Sequence, residues 1–347
     1  MFLRSRKSET PAMTLEGVLG PNTFIDEAEG MAVASPRALC LHADGRLLIA
    51  SGNAVLALSG WGRQPEAWAK FAMPVTALCA SPDGHVAAGL ADGTIAVRDM
   101  AGGVLEGWGR PENIASAVDA IFLAEGEIAV IDNGYRADED ILSLAAWDEK
   151  PRGQIVAIRR DGTTRRLSSV LHCPMGVARD SAGELVVSLF ERASIVDLSG
   201  KVRQSGFPAY LGRIRNSDNG YLISCLSRRD PLIEFFKTEK DFVAEMKEKI
   251  DPRHWMSPRA NPEFSHEFPI ELGATRLFGE IKPWAPSFSY GLVIETGADF
   301  IPTGSAHSAA NGGRHAISDA IRWDDTVVAI SLASGELLRF SFEREAA

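Results

Sequence analysis

The chain is short of several things, and each shortage removes a class of function. It has 36 basic against 46 acidic side chains, a net charge of −10. A nucleic-acid groove or a polybasic membrane surface needs clustered Lys and Arg, so neither partner is expected. Long apolar runs are missing too: Glu127-Ile-Ala-Val-Ile131 is typical, and a membrane helix needs about 20 such residues. The N-terminus begins Met1-Phe-Leu-Arg-Ser-Arg-Lys7, basic but with no apolar stretch behind it, so no secretory signal is read. The four cysteines, Cys40, Cys79, Cys173 and Cys225, form no CxxC pair and have no metal-like spacing to histidine. Buried, reduced thiols in a cytoplasmic protein are expected. No Gly-x-Ser-x-Gly elbow, phosphate loop or His-Glu-x-x-His is present, which leaves nucleophilic-serine, nucleotide and zinc-protease chemistry without a motif.

What the sequence does contain is a repeat. An apolar stretch, a turn ending in Gly and a second apolar stretch appear as Ala38-Leu-Cys-Leu-His-Ala-Asp-Gly-Arg-Leu-Leu-Ile-Ala50. The pattern returns around Gly84, Gly126, Gly183 and Gly220, and in degenerate form at Ser318–Ile330, with Asp325 in place of the glycine. Asp-Gly and Asn-Gly supply the positive φ of a hairpin turn, and the flanks are strand-like. Successive turn glycines are 39, 42, 57 and 37 residues apart, the length of a four-stranded blade. Six units predict an all-β, six-bladed β-propeller, read as one domain over residues 1–347.

Between Gly220 and Asp325 the interval is too long for one blade, so an insertion is expected over about 228–286. Within it, Pro231–Ile250 has helical apolar spacing, with Phe235, Phe242 and Met246 on one face. An aromatic stretch with Trp255, Phe264, Phe268, Phe278 and Trp284 follows. Packing and a roof over the propeller mouth are both open readings. The sixth blade runs out of chain after Glu336-Leu-Leu-Arg-Phe340, so Met13-Thr-Leu-Glu-Gly-Val-Leu-Gly20 is expected to supply its outer strand.

Phe288-Ser-Tyr-Gly-Leu-Val-Ile294, Ser305-Ala-His-Ser308 and Gly313-Arg-His-Ala-Ile-Ser318 resemble the strictosidine synthase-like and SMP-30–gluconolactonase-like six-bladed propellers. Phe207-Pro-Ala-Tyr-Leu-Gly-Arg-Ile-Arg215 and Cys173-Pro-Met-Gly-Val177 add to the likeness, which is good from about residue 170 to 343. The resemblance implies small-molecule chemistry in the central channel, but its relatives include both Pictet–Spengler condensing enzymes and calcium-dependent lactonases and arylesterases. One fold hosts many chemistries, so function is argued from the site.

In the calcium-dependent relatives, oxygen-bearing residues at the start of each inner strand hold the ion. That slot, eight residues before each turn glycine, holds Arg37, Thr76, Val118, Met175, Gly212 and Ile317 here. A one-residue slip brings in Asp119, Arg213 and Ser318. Calcium takes six to eight oxygens, mostly carboxylates and carbonyls, and neither set makes a carboxylate cage. No cofactor is therefore expected, with calcium the alternative if Glu29, Asp132 or Asn133 reaches the hub.

The remaining polar set suits metal-free acid–base work. Glu29 and Asp119 are candidate acids or bases and His315 a candidate proton shuttle. Arg37 and Arg213 are candidate anchors for an anionic substrate, with Thr76, Met175 and Ser318 beside them. The glutamate of the condensing relatives has no match in His315-Ala-Ile-Ser-Asp319, so for that chemistry Asp319 or His315 would have to substitute. Hydrolysis of an ester, lactone or related bond leads; a lyase or condensing reaction and a non-catalytic binding propeller are the alternatives. Structural readings stand beside these roles. His315 could bond across the hub, His307 could sit at a loop or blade edge, and the arginines could neutralise acids in a buried network. Asp132-Asn133-Gly134-Tyr135 reads as a turn and Asp138-Glu-Asp140 as a solvated loop. The oligomeric state is not legible.

Overall fold

The computed structural model describes residues 12–124, 126–252, 255, 257–260, 276–277, 280–281, 289–308 and 313–342. They form six four-stranded antiparallel sheets arranged as the blades of a propeller. The inner strands are Pro36–Leu41, Val75–Ala80, Asp119–Ala124, Pro174–Arg179, Ala209–Ser217 and Ile317–Trp323 for blades 1 to 6. None of the described helices is long and apolar enough to cross a membrane.

The repeat corresponds to the first hairpin of each blade. In blade 1 the Gly45 N–H donates to His42 O and the His42 N–H to Arg46 O, a three-residue loop that needs its last residue at positive φ. Gly45, Gly84, Gly126 and Gly183 all sit between φ 72° and 87°. Blade 6 meets the same need differently, with Asp324 at φ 49° in a two-residue turn between Trp323 and Thr326. Gly220 is required for another reason: a Cβ there would lie 2.0 Å from the Thr296 carbonyl oxygen of the neighbouring strand.

The insertion sits inside blade 5, between its second strand (Gly220–Arg228) and third strand (Gly291–Gly297). The expected single helix is two, Pro231–Phe236 and Lys240–Lys249, each with its own apolar face. Ile233, Val243 and Met246 are the buried ones, Phe242 stacks on Phe236, and Phe235 is 55% exposed. Phe264, Phe268, Phe278, Trp284 and Phe288 lie outside the described residues. The helices pack with Trp147, Met175, Phe190, Tyr210, Leu226 and Trp255 in one apolar cluster. Trp147 belongs to the long connection after the second strand of blade 3, and its indole N–H donates to Ser257 Oγ while Lys247 Nζ donates to its carbonyl. Insertion and blade 3 connection are thus joined over the same end of the ring.

Ring closure uses a different segment from the expected one. The outer strand of blade 6 is Glu29–Ala32, pairing with Glu336–Phe340. Residues 13–20 instead run beside the outer edge of blade 5, where a short 3-10 turn, Gly17–Leu19, buries Leu19 and Val18 O accepts from Ser305 Oγ. The segment between is a turn tied to the outer edge of blade 5: Ile25 N–H donates to His307 O, and His307 N–H to Asn22 Oδ1. Arg314 then gathers the carbonyls of Ile25, Asp26 and Ala28 with one nitrogen. This belt, not an outer strand at 13–20, welds the N-terminal segment to the ring, because Arg314 and the blade 5 edge supply partners where Met13–Gly20 passes no open strand of blade 6.

His307 lies buried under the belt in a directed chain. Ser305 Oγ spends its proton on Val18 O and so accepts from His307 Nε2–H, which leaves Nδ1 to accept from the Tyr290 hydroxyl at 3.0 Å. Burial pushes the imidazole down to about 4 from an ordinary value near 6.5. A histidine depressed in the folded state contributes stability above its unfolded pKa, and that stability is lost as the pH falls toward the folded one. Melting temperature is expected to fall between pH 6.5 and 4, with His307→Gln flattening that fall; an unchanged slope in the variant would remove His307 as its source.

Candidate functional site

At the axis the inner strands begin irregularly. Ladder register breaks between Pro36 and Leu39, Val75 and Ala77, Pro174 and Gly176, and Ile317 and Asp319. A bulge of this kind takes a residue out of the ladder and re-aims its groups. Arg37, Thr76 and Ser318 lie in three of these bulges, and their carbonyls turn to the axis. There they meet Arg213 from blade 5: Nη1 donates to Arg37 O and Ser318 O at 2.9 and 2.8 Å, and Nη2 to Thr76 O and Val118 O at 2.6 and 2.7 Å.

Beneath Arg213 lies Arg215, which makes paired bonds to both carboxylates of the hub: Asp119 at 2.9 and 3.0 Å, and Asp319 at 3.0 and 2.9 Å. Each aspartate also reaches the next blade. Asp119 Oδ2 accepts from the Val177 N–H of blade 4, and Asp319 Oδ2 from the Leu39 N–H of blade 1. One buried and one largely buried guanidinium balance two buried carboxylates in charge. Burial pushes the Asp119 carboxyl above its ordinary range, with Arg215 and Arg213 pulling the other way. Burial also works against Arg215, but the two aspartates outweigh it and raise its pKa; for Arg213 burial prevails and lowers it.

Above Arg213 opens a cavity of about 710 Å³, of a size that suits a small molecule. Arg37, Thr76, Ser116, Asn133, Met175 and Ser318 line its floor, and the segment Arg136–Leu142 from blade 3 forms part of its wall. Leu226 of blade 5 and Ala260 of the insertion extend the wall, so the insertion borders the cavity as well as packing on the ring. Arg37 projects into the space, and its guanidinium has no hydrogen-bond or ion-pair partner among the described residues. The walls strip enough water from it to lower its pKa.

Five of the expected site residues, Arg37, Arg213, Thr76, Met175 and Ser318, therefore meet around one cavity. The three expected proton-transfer groups do not. Glu29 is exposed on the outer strand of blade 6, opposite Arg339, and cannot reach the axis from the ring's periphery. Asp119 faces Arg215 on the far side of Arg213 from the cavity and already holds three N–H donors. His315 is wholly buried just ahead of the blade 6 inner strand and is not among the cavity's lining residues. Asp132 and Asn133 form the expected turn, Asp132 Oδ1 accepting from Gly134 N–H and Asn133 Oδ1 from Tyr135 N–H. Asn133 also faces the cavity, as does Ser116. Asp138, Glu139 and Asp140 form the expected solvated loop, with the side chains of Asp138 and Asp140 exposed, and the same loop borders the cavity. The 57-residue spacing in blade 3 carried the signal for that wall.

The calcium implied by the resemblance does not fit this donor set. Four carbonyls that face the axis are engaged by a guanidinium, the floor carries a second cation, and no group of three His, Cys, Asp or Glu side chains suits a metal among the described residues.

A second cavity, of about 750 Å³, lies above blade 4 between the insertion and the blade 3 connection. Its charges are largely matched within the protein: Glu234 takes Arg229, Lys237 and the Tyr210 hydroxyl, and Glu191 takes Arg192.

No family model matches the chain, and no curated protein does. Among solved structures it is similar to a putative gluconolactonase, with 14% identity, TM-score 0.54, and 92% of this chain and 93% of that one covered. A gluconolactonase from Xanthomonas campestris gives 10% identity and TM-score 0.51, covering 92% and 91%. The PQQ-bound aldose sugar dehydrogenase from Streptomyces coelicolor gives 12% and 0.50, covering 91% and 99%. The chain has the six-bladed architecture of these gluconolactonase-like neighbours. At such identities the likeness carries the fold, and the neighbours' differing activities show why it carries no more.

Breaking one partner of a buried charged network leaves an uncompensated charge, at a cost of about 3–5 kcal/mol. Asp119→Asn is expected to lower unfolding stability on that scale, measured by denaturant titration. A loss under about 1 kcal/mol, the scale of an exposed pair, would show that Asp119 does not hold the hub together.

Proposed function

We propose that the axial cavity binds a small hydroxylated carboxylic acid together with the cyclic ester it forms, and hydrolyses that ester. The observation that carries this reading is the hydrogen-bond polarity of the floor. Thr76 Oγ1 donates to Ala117 O or Gly89 O, Ser116 Oγ to Tyr135 O, and Ser318 Oγ to Arg37 O. A hydroxyl has one proton, so all three present only acceptor oxygens to the cavity. Arg37 and Asn133 present donors: the Asn133 amide is fixed by Tyr135 N–H on its oxygen, and among the described residues its nitrogen meets only the weak acceptor Met175 Sδ at 3.8 Å. A ligand that satisfies this floor places a carboxylate or ester carbonyl on Arg37 and Asn133, and hydroxyl donors on Thr76, Ser116 and Ser318. Hydroxy acids and their lactones have that pattern. The gluconolactonase neighbours support the same reaction class at low identity.

In the proposed hydrolysis, water adds to the ester carbonyl and the charge forming on its oxygen falls to Arg37 and Asn133. The acyl C–O bond then breaks, the ring oxygen takes the proton drawn from the water, the remaining acid proton passes to solvent, and the new carboxylate stays on Arg37. The carboxylates lining this cavity are Asp138, Glu139 and Asp140, which makes them the candidates to take the water's proton. A second reading, binding without turnover, is favoured by one fact: each of these three already accepts a bond within its own loop, Asp138 from Arg136 Nε, Glu139 from Arg136 N–H and Asp140 from Leu142 N–H. The lyase reading draws no support from the cavity, since Asp319 and His315 both lie outside it.

Loss of a hydrogen-bonded charge to a bound anion costs roughly 1.5–3 kcal/mol. Arg37→Ala is thus expected to weaken binding of hydroxy acids by about ten- to a hundredfold, with Arg37→Lys between, while the melting temperature holds or rises. Calorimetry with hydroxylated and plain carboxylates tests binding, and base uptake on a lactone panel tests turnover. Equal affinity of wild type and Arg37→Ala for every acid tried would overturn the reading.

A further inference from the structure

We infer that Arg213 is a built-in axial cation: its guanidinium occupies, as a tethered group, a site that the bulged inner strands shape for positive charge. The inference rests on the hub alone and is independent of the proposed reaction. Four carbonyl oxygens from four different blades point at one spot on the axis, and Arg213 meets all four with two nitrogens at 2.6–2.9 Å. Carbonyls gathered in this way repel one another and demand positive charge or N–H donors; without Arg213 all four would lose a charged donor, with Arg37 O keeping the bond from Ser318 Oγ at 3.2 Å. The two carboxylates nearby deepen the demand, with Arg213 Nε 3.6 Å from Asp119 and 3.8 Å from Asp319.

The strand around Arg213 is formed for the same purpose. Gly212 precedes it, and a Cβ there would lie 2.7 Å from Ser224 Oγ, the atom that accepts from the Arg213 N–H. Gly176 of blade 4 lets that strand close on the Arg213 backbone, where a Cβ would approach Cα to 2.6 Å. With the guanidinium in place, the axis is filled and the cavity above it has a floor. Without it, the hub would hold Arg215 against Asp119 and Asp319, one negative charge in excess, beneath four carbonyls that have each lost a charged donor. Arg213→Ala should therefore convert the axis into a binding site for a free cation.

The test uses the full chain and compares melting temperatures of wild type, Arg213→Ala, Arg213→Lys and Arg213→Met at fixed ionic strength, with added sodium chloride, calcium chloride or methylguanidinium chloride. Arg213→Met keeps an extended apolar side chain without charge, and Arg213→Lys keeps the charge with fewer donors. The expected order of stability is wild type, then Lys, then Met. Wild type should ignore calcium and EGTA alike, whereas Arg213→Ala should gain several degrees from methylguanidinium or calcium over matched sodium chloride. If Arg213→Ala fails to fold, the Lys–Met comparison decides. Met as stable as Lys overturns the inference, as does a folded Arg213→Ala that no added cation stabilises, or a wild-type protein that EGTA destabilises and calcium restores.

Discussion

A propeller must hold six twisted sheets around an axis where polar strand ends converge, and in this chain that is done by two arginines and two aspartates. Arg213 joins blade 5 to blades 1, 2, 3 and 6 through backbone carbonyls. Asp119 joins blade 3 to blade 4 and Asp319 joins blade 6 to blade 1, each through a backbone N–H, with Arg215 pinning the two carboxylates together. Every blade is attached by at least one charge-assisted bond, which is the stronger kind. The cost of burying four charges is met because their bonds to one another and to the strand ends leave few donors or acceptors open.

The same arrangement divides the labour of the two arginines expected side by side. Arg213 is spent on the protein, while Arg37, whose carbonyl Arg213 holds, keeps its own guanidinium for the cavity. Its strand entry is further constrained by Pro36 and by Ser35 at φ 47°, an uncommon conformation for a residue with a side chain. Residues in such conformations also precede the inner strands of blades 4 and 6, at Cys173 and Ala316. The floor is built from the starts of the inner strands, and the blade 3 connection and the insertion contribute to the walls.

The blades are legible in the sequence because turn chemistry is local: an Asp-Gly after an apolar stretch needs no knowledge of the rest of the chain. The residues at the axis are legible too, since glycine spacing counts along one strand. Counting does not give direction. Side chains alternate along a strand, and the bulges at Arg37, Thr76 and Ser318 shift that alternation at the positions facing the axis. Asp119 turns to the hub although its spacing suggests a cavity, and Arg213 borders the cavity but spends its guanidinium on the strand ends. Glu29 lies elsewhere than expected for a different reason: closure depends on which segment meets an open strand edge, and that is decided by partners such as Arg314, 286 residues from Ala28 in sequence. Asn133 looks like a turn residue because it is one, and its second role arises only where blade 3 meets the cavity.

Blade 6 joins two stretches that lie far apart in the chain, Glu29 pairing with Arg339. Blades 1 to 5 can each form from neighbouring sequence as a growing chain emerges from the ribosome, but the strand Glu29–Ala32 has to wait, unpaired, until the last hairpin has been made. Pairings of such high sequence separation form late and slowly. Through that interval the hub is also incomplete, since Asp319 and the Ser318 carbonyl arrive with blade 6. The nascent protein thus passes through an open arc with an exposed strand edge at each end, the stage at which it is most open to association with other chains.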